Sequence, residues 1–194
     1  MDADVLYGIE ATDLLLTLAV RRAIRIHWSS EILAEVSRNL AKRHDLNAKA
    51  IAYRIERMNA ALPDARVEPP PELVDQMPVN TKDRHVLALA SYVEANVLVT
   101  NNLRDFPVEA CAAYAVEPVA PDDFFTQIAR NRPGDLNATL TEISARRRNP
   151  ALAVNQLVDQ MAKRWPKFAA VAKEIQPSPA QRSQRRDPYP GLDQ

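Results

Sequence analysis

The feature that most constrains the fold is the run Asn96-Val97-Leu98-Val99-Thr100, closed by Asn101-Asn102. Its core is apolar without alternation and rich in β-branched residues. A strand of that kind is buried on both faces, which places it in a parallel sheet covered by helices on both sides. The preceding stretch has helical spacing at Val86, Leu87, Leu89, Ala90 and Val93, with Thr81 as its expected N-cap.

The same alternation runs through the first two thirds of the chain. Val5-Leu6 read as a strand end. A helix capped by Thr12 follows, with Asp13 in its first turn and Leu14, Leu15, Leu18 and Ala19 on one face. Ala23 to His27 is a short β-prone segment. Ser29 or Ser30 caps a helix running to about Lys42, striped by Ile32, Leu33, Val36 and Leu40. Leu46 to Leu62 predicts a third helix with Ala50, Ile51, Ile55 and Met58 inward, stopped by Pro63. Arg66-Val67 is a brief strand, and the prolines at 69–71 form an extended connector. Tyr114 to Val119 reads as a last strand and Asp122 to Arg130 as a closing helix. Residues 1–130 are therefore expected to form a three-layer α/β domain around a parallel sheet.

Composition shifts at the Asn131-Arg132-Pro133-Gly134 break. A helical extension over 131–175 is expected from Leu136–Arg146, Ala151–Arg164 and Pro166–Ile175, with Val154, Leu157, Val158 and Met161 striping the middle segment. Residues 176–194, rich in Pro, Arg and Gln, read as a disordered tail.

Several function classes drop out. With 3 Gly against 15 Pro the chain has neither GxGxxG nor a Walker A pattern, so a glycine-rich phosphate loop is excluded. Lys+Arg and Asp+Glu both number 25, so only local basic clusters, such as Arg146-Arg147-Arg148, could attract nucleic acid. One cysteine, Cys111, permits no intramolecular disulfide and fits a cytoplasmic protein. No apolar run reaches membrane-spanning length, and no signal-peptide layout opens the chain.

The acids carry the chemistry. In parallel sheets ligands bind at the carboxyl ends of strands. Asp2 lies near one strand end; Asn102 and Asp105 lie past another. Asp83 opens a helix, and Glu35 sits at the edge of an apolar stripe. Each alone has an ordinary structural role: Asp83, for example, could stabilise a helix N-terminus by roughly 0.3–1 kcal/mol. Together they point to a carboxylate pocket. Like charges at close range raise one another's pKa unless a cation is present. Hard Mg²⁺ or Mn²⁺ prefers such oxygen ligands, and can activate water against a phosphodiester.

The segments DADVLY, HWSSEILAEVSRNL, KDRHVLALA and VTNNLRDFP resemble those of PIN-domain ribonucleases. They are most similar to the VapC toxins of bacterial toxin–antitoxin pairs, in the subgroup with extra C-terminal helices. The resemblance covers about residues 1–130. It implies an α/β/α sandwich, Mg²⁺- or Mn²⁺-dependent cleavage of structured RNA such as tRNA or rRNA, and inhibition by a VapB-type antitoxin; a homodimer is expected.

The family's first three acids fall on Asp2, Glu35 and Asp83, with Asp2 and Asp83 as principal ligands. Many relatives have Thr-x-Asp where this chain has Thr100-Asn101-Asn102. Asp105 is then the expected fourth acid, and Asn102 positions water or metal. Several apolar residues normally precede the first Asp, where here only Met1 does, so either an upstream start or a shortened first strand is expected. Lys82 and Arg84 could touch phosphate, as could Arg146 and Arg147, which alternatively cap a helix. Two other readings stand beside the nuclease. One is a non-catalytic PIN interaction module. The other is a haloacid-dehalogenase-type phosphatase using the DxD at 2–4, which would release phosphate from small esters.

Overall fold

The computed structural model describes residues 1–148 and 150–176. Its sheet is small. β1 (Val97–Val99) and β2 (Glu117–Val119) pair in parallel, with Val97 opposite Glu117 and Val99 opposite Val119. Leu98 and Val99 are fully buried, as the unalternating run predicts.

Three further segments flank these strands by single hydrogen-bonding steps. The Asp2 N–H donates to the Val99 carbonyl at 3.1 Å. The Met1 amine donates to the His27 carbonyl at 3.1 Å. Trp28 forms a parallel bridge with Arg66. The backbone thus lies in the order Arg66, Trp28, Met1-Asp2, β1, β2, although only the last two are regular strands. This is a helix-rich α/β arrangement with a parallel core.

Several local expectations need correction. Val5 and Leu6 belong to a helix, α1 (Ala3–Leu6), with Asp2 as N-cap; Tyr7 N–H donates to the Ala3 carbonyl at 2.9 Å. In so short an apolar run neither periodicity can declare itself. α2 (Ile9–Val20) starts at Gly8, not Thr12. The Thr12 hydroxyl lies 2.9 Å from the carbonyls of both Leu6 and Gly8, a back-bonding position rather than a cap.

α3 (Ser30–Leu40) is capped by Ser29, whose hydroxyl accepts from Ile32 N–H. α4 (Ala48–Ala61) is capped by Asn47 and buries Ile51 and Met58, but leaves Ala50 exposed. The proline run is extended only to Pro70: Pro71 opens α5 (Pro71–Asp75), where a missing N–H costs nothing. Asn80, not Thr81, caps the 3₁₀ turn Thr81–Asp83, and Asp83 then leads α6 (Arg84–Tyr92). A short α7 (Val108–Ala112) precedes β2.

The C-terminal helices pack inside the molecule. They are α8 (Pro121–Asn131), α9 (Pro133–Arg146), α10 (Val154–Ala162) and α11 (Pro166–Glu174). α11 lies against α8 and α10, while α9 lies against α2. Phe125 packs at a tilt against Trp165, with ring centroids 4.8 Å apart, and against Phe168 at 5.7 Å. Of the predicted stripe, Leu157, Val158 and Met161 are buried there and Val154 is half-buried. Gln176 is tied to this layer through Asn137 at 2.9 Å; the expected tail otherwise lies outside the described residues. No described helix is long and apolar enough to cross a membrane.

Candidate carboxylate site

The strand edge and two helix starts gather the acids. Asp2 follows the Val99 ladder step and caps α1. Its Oδ2 accepts the Thr100 hydroxyl at 2.6 Å, which ties the first acid to the residue ending β1. Asp4, two residues on, accepts the Asn101 N–H at 3.0 Å. Asn102 N–H donates back to the Thr100 hydroxyl at 3.0 Å, and its side-chain amide donates to Asp105 Oδ2. The turn after β1 therefore holds Asp2, Asp4 and Asp105 in one hydrogen-bonded frame.

Asp83 and Glu35 face the frame from α6 and α3. Lys82 Nζ lies 2.8 Å from Asp105 Oδ2 and 3.7 Å from Asp83 Oδ2. Glu35 Oε2 lies 3.6 Å from His85 Nε2, and Glu31 approaches the other ring nitrogen at 3.8 Å.

The acidities show which groups feel one another. Burial is the main force raising the Asp83 carboxyl; Lys82 opposes it, while Asp105 and Asp2 add to it. Burial likewise raises Glu35, opposed by His85 and reinforced by Asp2. Asp4 is pushed up to about 7, first by burial and then by Asp2. Asp105 is held below its ordinary value, chiefly by its hydrogen bond from Lys82. Asp2 thus adds to the rise of Asp4, Glu35 and Asp83.

Among the described residues, no three carboxylate, imidazole or thiolate groups stand close enough together to grip one ion. The fit to a metal lies in donor chemistry and charge. All four expected acids offer oxygen, the donor that hard divalent cations prefer. Asp83 Oδ2 is buried without a hydrogen-bond donor, an arrangement that costs free energy unless a cation or water meets it. Lys82 currently supplies the positive charge between Asp83 and Asp105.

The chain was compared with known proteins. Residues 121–174 match the family model of the VapC50 C-terminal domain. The chain is also 33% identical over 107 residues to a Mycobacterium tuberculosis protein named "Putative ribonuclease VapC50". The chain is thus similar to a VapC-type protein and carries a C-terminal segment of the kind that family model describes. The aligned stretch covers 55% of this chain and 63% of that protein, less than two thirds of its length. No solved structure matches the chain significantly.

The other flagged residues divide clearly. Lys82 lies among the acids. Arg84 turns to backbone, its guanidinium donating to the Val79 and Asp75 carbonyls at 3.3 Å each. Arg146 donates to the Thr17 hydroxyl at 2.6 Å, and Arg147 pairs with Asp13 at 2.8 Å. Both therefore join α9 to α2. Sequence reasoning does not single out three participants: Asp4, Thr100 and His85. Only the tight spacing of Asp2 with Asp4 and of Asp83 with His85 could have drawn attention to them.

Proposed function

We propose that this chain is a divalent-metal-dependent endoribonuclease on a three-layer PIN sandwich. In this reading it cleaves structured RNA, such as tRNA or rRNA, in the cytoplasm as the toxin of a toxin–antitoxin pair. It acts as a homodimer and is restrained by a VapB-type antitoxin. The observation that carries the reading is a chain of contacts that joins acids from separate segments: Thr100 bonds Asp2, Asn102 bonds Thr100 and Asp105, and Lys82 stands between Asp105 and Asp83. Glu35 joins them from α3, its proton affinity raised by burial and by Asp2.

Mg²⁺ or Mn²⁺ would be held directly by Asp2 and Asp83, with Glu35 and Asp105 reaching it through water, since no three of these groups are spaced to grip one ion. Such a cation supplies a nucleophilic water and offsets charge developing on the phosphodiester. The protein's own groups do the rest. Thr100 fixes the Asp2 carboxylate. Asn102 orients Asp105 and can position water. Glu35, with its proton affinity raised by burial, is suited to hold and release a proton. The exposed Lys82 ammonium stands at the rim where a phosphate oxygen would arrive.

The test is cleavage of tRNA and rRNA by purified protein with Mg²⁺, with Mn²⁺ and with chelator. Cleavage is expected only with metal, and Asp83→Asn is expected to lower it by about 10²-fold or more. Activity that survives chelation, or survives Asp2→Asn combined with Asp83→Asn, sinks the metal-site reading.

A second reading rests on Lys82 standing between Asp83 and Asp105, and on Asn102 in place of an acid. Both suit a non-catalytic interaction module whose carboxylates are neutralised internally. Protein that binds an antitoxin yet cleaves no RNA under any metal condition would establish it.

A further inference from the structure

A cleft borders the carboxylate group at Asp4, and the C-terminal layer contributes to it. Asp4, Tyr7 and Asn101 line it together with Pro121, Arg164 and Trp165, around a volume of 230 Å³. That is smaller than the roughly 300–1,000 Å³ of a small-molecule pocket, and suits a single backbone unit of a longer ligand.

Arg164 is its cation. The residue is exposed, and among the described residues its guanidinium forms no ion pair or hydrogen bond. It is nonetheless held in place. Its backbone N–H donates to the Met161 carbonyl at 3.0 Å as α10 ends. The next residue, Trp165, is only 3% exposed and is locked against Phe125. Asp122 accepts the N–H groups of Lys167 and Phe168, fixing the start of α11. The guanidinium rests beside Gly8, where a Cβ would stand 3.1 Å from Nη1. An arginine with no partner among the described residues, on a backbone corner fixed by these contacts and in a cleft shared with Asp4 and Asn101, is placed to receive an anion next to the carboxylates.

We propose that Arg164 binds a backbone phosphate of the RNA beside the scissile bond, so that the C-terminal extension contributes directly to substrate positioning. This rests on the nuclease reading above. Arg164 is a positioning residue: it offers a planar donor pair to phosphate and touches no reacting atom.

The test uses the full chain carrying Asp83→Asn, so that RNA is bound without being consumed. Binding of a single-stranded RNA oligonucleotide is followed by fluorescence anisotropy across a salt series. Adding Arg164→Gln is expected to weaken binding several-fold and to reduce the slope of log K against log salt by about 0.7, one phosphate contact on a single strand. Arg164→Lys restores the slope. Lys163→Gln, which removes the neighbouring exposed charge outside the cleft, leaves binding close to the parent's. Thermal unfolding of all three variants is expected to match the parent, showing that the loss is not one of folding.

Equal losses for Arg164→Gln and Lys163→Gln would reduce Arg164 to general electrostatics and overturn the proposal. So would an unchanged slope in Arg164→Gln. If Arg164→Gln spares RNA but weakens binding of a polyglutamate peptide, the cleft docks a protein and the proposal falls. Failure of the nuclease reading shows separately, as the absence of RNA cleavage by the unsubstituted chain under any metal condition.

Discussion

At the scale of single residues, the site is a set of carboxylates whose acidities diverge. Asp4 has the clearest consequence for stability. Its folded pKa, about 7, lies above the ordinary 3.8 because burial and Asp2 disfavour its charge. Between those values the folded chain keeps a proton that the unfolded chain has released, so Asp4's contribution to stability falls as pH rises from about 4 to about 7. Asn can still accept from Asn101 N–H and carries no charge. Asp4→Asn is therefore expected to raise Tm at pH 8 and leave it nearly unchanged at pH 4, measured by thermal unfolding at the two pH values.

Lys82 works in the opposite direction, holding Asp105 acidic and moderating Asp83. Lys82→Met is expected to raise both carboxyls. If ionised carboxylates are required for cleavage, the acid limb of the pH–rate profile moves to higher pH. An unmoved limb would separate Lys82 from the ionisation of the site.

At the scale of elements, the helices are set by caps and by one aromatic cluster. Asp122 on α8 accepts two N–H groups at the start of α11, joining two helices by charge-assisted bonds. Asp122→Ala is expected to cost about 2 kcal/mol in urea unfolding. Phe168 is fully buried against Phe125 and Trp165. Phe168→Ala should cost about 3–5 kcal/mol by the same measurement, the usual loss for removing a core aromatic ring. The Ser29 cap and the Leu157/Val158/Met161 stripe were legible in sequence, because each depends on a residue type at a fixed local spacing. The starts of α2 and α6 were not. Thr12 and Thr81 are good caps by type, but α2 begins at Gly8, and Asn80 caps a 3₁₀ turn that leads through Asp83 into α6.

At the scale of the whole molecule, the C-terminal layer is part of the core. α9 covers α2 through Arg147–Asp13, Arg146–Thr17 and Arg21–Glu142. α11 covers α8. A chain ending at Arg130 would uncover the Phe124–Phe125 pair and one face of α2. Such a truncation is expected to aggregate or to lose its cooperative transition, read by size-exclusion chromatography and thermal unfolding. A soluble, cooperatively melting product would mean that the first 130 residues are self-sufficient. The arrangement also gives the extension access to the carboxylate rim, since the corner between α10 and α11 meets the turn after β1 at the Arg164 cleft.

The sequence by itself determined the buried strand at 97–99, the helical periodicities and the identity of the acids. All of these follow from residue type and short-range spacing. Only the tertiary structure decided how the acids relate. Asp2 and Thr100 stand 98 positions apart in the chain yet share a 2.6 Å hydrogen bond. The placement of Lys82 between two carboxylates depends equally on where α6 meets the turn after β1. It also decided that Arg146 and Arg147 serve helix docking while Arg164, unremarkable in sequence, faces a cleft. The physical reason is common to these cases. A charged side chain's role is set by what lies within a few ångströms of it, and for these residues those neighbours come from distant parts of the chain.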